Sequence, residues 1–461
     1  MSAVKNKILF FISIIFCLSE NAVAQQDDSL MLRKIYNEIL VNGKAYDWLS
    51  DLTKTVGGRL SGSPQAAEAV KWTEKKMKEA GADSVWLQEV KVPHWVRGEK
   101  EEGTIIRSDG KKEEVPVCAL GMSVATPVAG ITAKVIEVHD FDELKKLGEE
   151  KVKGKIVFYN HPFDQTFINT FEAYGNAGKY RWAGASEAAR YGAVASITRS
   201  MSSSDNDYPH TGSMGYNDSL PKIPCAAVST NGANLLSKIL KEDSETKFFL
   251  KQTCHMLDSV LSYNVVGAIK GNEFPDEIIV VGGHLDSWDL GKGAHDDGAG
   301  VVQSIEVLRT FKSLGIKPKR TIHAVAFMNE ENGLMGGKKY AELAEKNKDK
   351  NIVALESDAG GFPPLGFGLN MTDDKKKKIQ VWKPLFLPYN LWNFEGEGDG
   401  ADISPMTRKG LPGIGLHVES QRYFEIHHAK TDVIENVNKR ELHLGAAAMT
   451  SLIYLLSRYG L

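Results

Sequence analysis

The most restrictive feature of the chain is a regular alternation of apolar strands and amphipathic helices in its C-terminal part. After Asn264, apolar runs of strand length recur at residues 278–283, 321–328, 352–355 and 414–418. Between the first two runs, Val301, Ile305 and Leu308 recur at helical spacing and mark an amphipathic helix. Strands that alternate with helices predict an α/β fold, with a mostly parallel sheet flanked by helices on both faces.

Acidic residues and histidines stand where these strands end, and this is where open α/β sheets bind ligands. The side chains concerned are His284, Asp286, Asp296, Asp297, Glu330, Glu331, Asp358, His427 and His428. Each cluster alone has a simpler explanation, such as acidic residues that stabilise a helix N-terminus. Together, at successive strand ends, they predict one shared polar pocket.

The residue types in this pocket favour zinc or a similar divalent ion. Imidazole and carboxylate together select first-row metals, whereas calcium and magnesium prefer shells made only of oxygen. Two histidines and three carboxylates are too many for one catalytic zinc ion, which usually has three protein ligands. They fit two ions about 3.5–4 Å apart that share a bridging carboxylate, the usual arrangement in metal-assisted hydrolases.

The order and spacing of the motifs resemble the two-zinc exopeptidase family, which includes aminopeptidases and glutamate carboxypeptidases. The matching segments are Gly283–Asp286, Gly293–Gly300, Asn329–Gly333, Glu356–Asp358 and His427–Asp432. The pair His427–His428, with Tyr423–Phe424 just before it, resembles the carboxypeptidase Q subgroup. The resemblance implies a zinc-dependent exopeptidase that acts on small peptides, most often as a dipeptidase or carboxypeptidase.

The same resemblance assigns the ligands of two Zn²⁺ ions per chain. His284, Asp296 and Asp358 would hold one ion. Glu331 and His428 would hold the other, and Asp296 would bridge the two.

Three further residues receive catalytic roles from the resemblance. Glu330 would be the general base for the water that bridges the metals. Asp286 would orient the His284 ring. Many aminopeptidases of the family have a tyrosine where His427 stands, so we expect His427 to donate to the developing oxyanion. The Asp296–Asp297 bond is often a cis peptide in the family, and we expect one here.

Residues 123–255 resemble the protease-associated domain that is inserted in some family members. The segments that carry this resemblance are Val152–Phe158, Tyr191–Ile197 and Ile223–Ser229, each predicted as a strand. Residues 202–219 are predicted to form a loop. Residues 25–122 and 256–461 would then be the two parts of the catalytic domain.

The N-terminal part is predicted to be helical from residue 28 to about residue 90. Within it, Ser63 is a suitable N-cap and Pro64 suits the first helical turn, so we expect a helix that runs to Ala80.

Residues 1–24 are typical of a signal peptide. Lys5 and Lys7 precede a short apolar run, and Ala22–Ala24 matches a cleavage site. We therefore expect an exported protein, periplasmic or extracellular, without membrane insertion. Cleavage would leave Cys118, Cys225 and Cys254, which we expect to be buried free thiols. The net charge of −3 argues against nucleic-acid binding.

Several alternatives remain open at this point. The enzyme could be an aminopeptidase, a glutaminyl cyclase with a single zinc ion, or a non-catalytic binding module of the same fold. A carboxypeptidase or dipeptidase needs a group that binds a free carboxylate, and Arg408, Lys409 and Arg422 lie close in sequence to the ligand segments. A homodimer is also left open.

Overall fold

The computed structural model of the chain describes residues 26–396, 398 and 400–461. The expected signal peptide therefore lies outside the described residues. Within the described part, no helix combines the length and the hydropathy needed to cross a lipid bilayer.

The strands form two sheets. In chain order they are β1 (Ser84–Val96), β2 (Glu102–Ile106), β3 (Lys112–Glu114), β4 (Val117–Ala119), β5 (Ile131–Val138), β6 (Ile156–Tyr159), β7 (Ala195–Arg199), β8 (Cys225–Val228), β9 (Lys247–Lys251), β10 (His255–Ile269), β11 (Phe274–His284), β12 (Arg320–Phe327), β13 (Lys350–Glu356), β14 (Pro364–Asn370) and β15 (Gly413–Val418). The first sheet has the order β1-β10-β12-β11-β13-β15-β14, and the second has the order β3-β2-β9-β5-β6-β7-β8-β4.

Residues 26–42 are helical and are called α1. The later helices are α2 (Ala45–Thr55), α3 (Pro64–Glu79), α4 (Phe141–Val152), α5 (Thr170–Arg190), α6 (Thr230–Glu242), α7 (Ala299–Ser313), α8 (Met335–Asn347), α9 (Asp373–Gln380), α10 (Lys383–Phe386), α11 (Ser404–Thr407), α12 (Tyr423–Ile426) and α13 (Lys439–Tyr459). A π-helical turn covers Ala294–Gly298, and 3-10 turns cover Leu387–Tyr389 and Ile434–Asn436.

The first sheet is mixed, which corrects the prediction of a mostly parallel sheet. Its central strands β12, β11, β13 and β15 are parallel, as predicted. At the two edges, β10, β1 and β14 pair antiparallel. Strand β1 was missed and its first residues were predicted as helix, because most of its residues are exposed or half-buried and it lacks an apolar run.

The central strands are buried on both faces, which explains their continuous apolar sequences. In β11, Ile279 and Val281 belong to the core on one face, together with residues of α7 and α13. Ile278 and Val280 belong to the core on the other face, together with Tyr340 of α8. This two-residue alternation follows from strand geometry and determines the face of the sheet on which each side chain lies.

The helix predicted from Ser63 and Pro64 is confirmed as α3. The Ser63 side chain accepts a hydrogen bond from the Ala66 amide at 3.1 Å and caps the helix. The three cysteines of the described chain are buried and free, as expected.

The second sheet begins upstream of the domain boundary predicted at residue 123. Strands β2 and β4 precede that residue, yet they pair with β9 and β8. The strand predicted from Val152 begins at Ile156, because α4 continues through Val152. Asp140 caps α4 by accepting a hydrogen bond from the Glu143 amide. The described residues 202–219 join β7 to β8 without a helix or strand, as predicted.

Candidate metal centre

The structure brings all five predicted metal ligands to the carboxyl edge of the central strands. His284 ends β11, Asp358 lies two residues after β13, and Glu331 follows β12. Asp296 lies in the π-helical turn before α7, and His428 follows α12. Parallel strands end at the same edge of a sheet, so ligands far apart in sequence become neighbours.

The first predicted ligand set is compact. His284 Nε2 lies 3.1 Å from Asp296 Oδ1 and 3.3 Å from Asp358 Oδ1. The ligand atoms of these three residues all lie within 4.8 Å of one another. His284 and Asp296 are buried, whereas 23% of the Asp358 side chain is exposed, so the set opens to solvent on the Asp358 side.

The second set shares Asp296 with the first. His428 Nε2 lies 3.2 Å from Asp296 Oδ2 and 3.1 Å from Glu331 Oε2. Asp296 thus faces one imidazole with each carboxylate oxygen, as a bridging ligand would. His427 also joins this group, with Nε2 at 3.6 Å from Asp296 Oδ2. Its ring stacks on His428 with a centroid separation of 3.6 Å.

Backbone carbonyls fix the orientation of both ligand imidazoles. His284 Nδ1 is 3.0 Å from the Asp286 carbonyl oxygen, and His428 Nδ1 is 3.3 Å from the Thr211 carbonyl oxygen. A carbonyl can only accept, so each Nδ1 carries a proton and a neutral ring presents the lone pair of Nε2 to the carboxylates. The carboxylates then need either a proton on Nε2 or a metal cation between them and the ring.

The electrostatics of the site also call for positive charge. Burial alone would lower the pKa of His284, but Asp358 and Asp296 raise it well above its usual range. Burial raises the pKa of Glu331 to about 7, and Asp296 adds to the increase. Buried Asp296 Oδ2 has no hydrogen-bond donor. The donor set therefore fits divalent metal ions, and nitrogen with carboxylate oxygen suits zinc.

The contact of Asp286 differs from the predicted one. Its carboxylate Oδ1 is 4.0 Å from His284 Nδ1, whereas its backbone carbonyl makes the hydrogen bond to the ring. The carboxylate instead accepts from the amides of Asn329 at 2.6 Å and Glu330 at 3.0 Å. The Asp286 side chain therefore positions the segment that carries Glu330 and Glu331, and the Asp286 backbone orients the imidazole.

Glu330 lies next to the ligands without belonging to either compact set. Burial raises its pKa well above the usual range, and Asp358 and Glu331 raise it further while His284 opposes the increase. A divalent ion bound among these groups would oppose the effect of the carboxylates and lower the pKa of Glu330. Position and environment are thus compatible with the predicted base.

The turn that carries Asp296 is held by two further aspartates. The Asp296–Asp297 peptide is cis, as expected. Asp297 accepts from the amides of His284 at 3.0 Å and Gly300 at 2.8 Å. Asp432 accepts from the amides of His295 at 2.7 Å and Asp296 at 3.1 Å. Asp432 was noted only as part of a motif, and its role depends on a contact across 136 residues.

Arg59 supports the site, a role that sequence reasoning did not assign to it. Its side chain is fully buried and donates to the carbonyls of Leu285 at 2.5 Å, Lys292 at 2.9 Å and Gly293 at 3.0 Å. These carbonyls belong to the loop between His284 and Asp296. One guanidinium therefore fixes the loop that joins two metal ligands.

The 210–213 segment, which connects strands of the second sheet, also contacts the ligands. His210 Nδ1 donates to the His427 carbonyl at 2.6 Å, and the Thr211 amide donates to the His428 carbonyl at 3.0 Å. Ser213 Oγ donates to the Glu331 carbonyl at 2.8 Å. The loop prediction contained no signal for these contacts.

Comparison with known proteins agrees with this geometry. A family model described as Peptidase family M28 matches residues 264–453. Carboxypeptidase Q of Xenopus laevis is 37% identical over 424 residues, which cover 91% of this chain and 88% of the relative. The chain belongs to peptidase family M28. The resemblance to two-zinc exopeptidases is thereby confirmed, and the protein is a metallo-exopeptidase.

Solved structures of M28 peptidases share the fold. The crystal structure of a peptidase M28 precursor from Shewanella amazonensis SB2B superposes with a TM-score of 0.88 and 31% identity, and the match covers 94% of this chain and 97% of that one. A zinc aminopeptidase from Bacillus subtilis has a TM-score of 0.63 at 20% identity, and the match covers 89% and 93% of the two chains. The second likeness concerns the fold alone.

Proposed function

We propose that this M28 peptidase holds two zinc ions and hydrolyses free dipeptides, as a carboxypeptidase Q-like dipeptidase. The observation that carries the proposal is the pair of ligand sets that share Asp296. His284 and Asp358 complete one set, and Glu331 and His428 complete the other. When bound, the zinc ions would polarise the scissile carbonyl and make the attacking water more acidic.

The residues of the chain divide the remaining work. Glu330 takes the proton from the attacking water and can pass it to the leaving amine. His427 is buried, and burial together with His428 lowers its pKa well below the usual range, so its ring is neutral. A neutral imidazole still has one N–H, which His427 can donate to the oxyanion that develops on the substrate.

An aminopeptidase is the second candidate, because a zinc aminopeptidase shares the fold. Carboxypeptidase Q of Xenopus laevis is 37% identical to this chain, whereas the aminopeptidase is 20% identical, and this difference favours the dipeptidase. A glutaminyl cyclase with one zinc ion or a non-catalytic binding module fits less well, since all five ligands and Glu330 are present.

We also propose that residues 123–255 correspond to an inserted protease-associated domain within a catalytic domain formed by residues 25–122 and 256–461. Strands β5 to β9 of the second sheet lie in this insert and support the proposal. Export through the N-terminal signal sequence, to the periplasm or the cell exterior, belongs to the same proposal. So do small peptides as substrates and a homodimeric state.

The proposal is tested with one dipeptide and one tetrapeptide, each free, N-acetylated and C-amidated, with and without a zinc chelator. A dipeptidase cleaves only the free dipeptide, and chelation abolishes that cleavage. Trimming of the amidated peptides and of the tetrapeptide from the N-terminus would establish an aminopeptidase instead. Metal analysis should give two zinc ions per chain, and a single ion would favour the cyclase.

A further inference from the structure

Helix α5 connects the two sheets and brings one arginine beside the metal centre. Ala173 and Ala177, in its first half, belong to the core of the first sheet. Tyr180 and Ala185, further along, belong to a core of the second sheet. Arg181 lies at this transition, so packing on both sides fixes its position.

Aromatic contacts orient the face of α5 that carries Arg181. Tyr174 precedes it by seven residues, which is two helical turns, so both side chains point to the same side. The Tyr174 ring contacts the ring of His427 edge-on at 5.0 Å. The Arg181 guanidinium lies 5.3 Å from the centre of the Tyr174 ring.

Gly212 shows how closely Arg181 approaches the ligands. A Cβ atom built on Gly212 would lie 2.4 Å from Arg181 Nη1 and 2.8 Å from His428 Nδ1. The guanidinium and the ligand imidazole therefore flank the same glycine. A side chain at position 212 would displace one of them.

The guanidinium has no counter-ion in the described part of the chain. Its Nε and Nη1 atoms are buried and have no hydrogen-bond partner. Buried donors without an acceptor are costly, and a charged one costs more, so such a group is expected to serve a ligand.

We propose that Arg181 binds the free C-terminal carboxylate of the substrate and thereby selects dipeptides. This inference rests on the proposed dipeptidase function and names the residue that determines its specificity. Consecutive Cα atoms are about 3.8 Å apart, so in a dipeptide the carboxylate lies one residue beyond the scissile carbonyl. The cation that binds it must stand beside the metal ligands, and a guanidinium can pair with a carboxylate through two hydrogen bonds.

The cations considered from sequence are less suitable. Lys409 pairs with Glu345 at 2.6 Å and is exposed. Arg408 and Arg422 are exposed as well, and Arg422 lies over the Phe362 ring at 5.9 Å. The carboxylate-binding group thus comes from α5, a helix of the proposed insert, rather than from the ligand segments.

The test compares a neutral dipeptide with its C-terminal amide, using zinc-loaded wild-type protein and the variants Arg181→Met and Arg190→Met. Arg190 lies on the same helix in an exposed ion pair with Glu187 and serves as the charge-matched control. We expect wild type and Arg190→Met to prefer the free acid in kcat/KM. Arg181→Met should lose about 10- to 100-fold on the acid, mainly through KM, and little on the amide, with unchanged zinc content.

The outcomes separate this inference from the proposed function. If wild type prefers the acid and Arg181→Met keeps that preference, the role of Arg181 is wrong and the dipeptidase stands. Equal losses on acid and amide, or loss of zinc, would make Arg181 a structural residue and overturn its role. If wild type cleaves acid and amide equally, the dipeptidase function fails and the role of Arg181 fails with it.

Discussion

Replacing Arg59 with methionine should destabilise both the fold and the metal centre. The buried carbonyl of Leu285 and the part-buried carbonyl of Lys292 would lose the donors that Arg59 supplies. The Gly293 carbonyl would keep only the hydrogen bond from the Gly298 amide. A buried acceptor left unpaired costs about 1–3 kcal/mol. Methionine fills most of the aliphatic volume and leaves room for water at the former guanidinium, so we take values near the lower limit. The expected loss in the free energy of unfolding is about 2–3 kcal/mol, with the largest share from the Leu285 carbonyl.

The loss is measured by urea unfolding of zinc-loaded Arg59→Met and wild type, with metal analysis of both. The loop that Arg59 holds connects His284 to Asp296, so zinc occupancy should fall together with stability. Arg190→Met is the control, because its side chain is 45% exposed and solvent weakens its ion pair with Glu187. A change below about 1 kcal/mol in Arg59→Met, with full zinc content, would refute the proposed clamp.

Three further changes test separate parts of the site and the fold. Glu330→Gln removes the proposed base and should lower kcat about 10²- to 10⁴-fold with zinc content unchanged; activity near that of wild type would exclude the role. His427→Gln should lower kcat at full zinc occupancy if His427 stabilises the oxyanion, whereas loss of one zinc ion would make it a ligand. Burial lowers the pKa of His323 from 6.5 to about 4, so the folded state takes up this proton less readily than the unfolded chain. The free energy of unfolding should therefore fall as the pH drops from 6.5 towards 4. Urea unfolding at pH 7 and pH 5 should show a smaller decrease in this free energy for His323→Phe than for wild type. An equal decrease in the two proteins would contradict this reasoning.

The position of the polar pocket could be predicted because its signal is local. His284 ends one apolar strand and Asp358 lies two residues after another, and the ends of neighbouring parallel strands lie at one edge of the sheet. The choice of ligands within each cluster, such as Asp296 rather than Asp297, came from the family resemblance. The same reasoning failed for β1, because a half-exposed edge strand carries no continuous apolar run.

The residues that support the ligands could not be predicted, because their partners are far away in the chain. Arg59 donates to a carbonyl 226 residues later, and His210 donates to one 217 residues later. The acceptors are backbone carbonyls, which every residue has, so no side-chain motif marks the pairing. Asp286 was predicted to orient His284, but its backbone carbonyl rather than its carboxylate contacts the ring. The carboxylate accepts a hydrogen bond from the Asn329 amide instead.

The contacts of the second sheet change how the metal centre should be understood. The Thr211 carbonyl sets the tautomer of His428, and Ser213 holds the backbone of Glu331, so both ligands of the second set depend on the 210–213 segment. The first set depends on Asp286, Asp297 and Arg59, which lie outside the second sheet. A ligand that binds the folded protein but not the unfolded chain stabilises the contacts on which its binding site depends. Zinc at the second set would therefore stabilise the docking of the second sheet, and that docking in turn would determine affinity at the second set more than at the first.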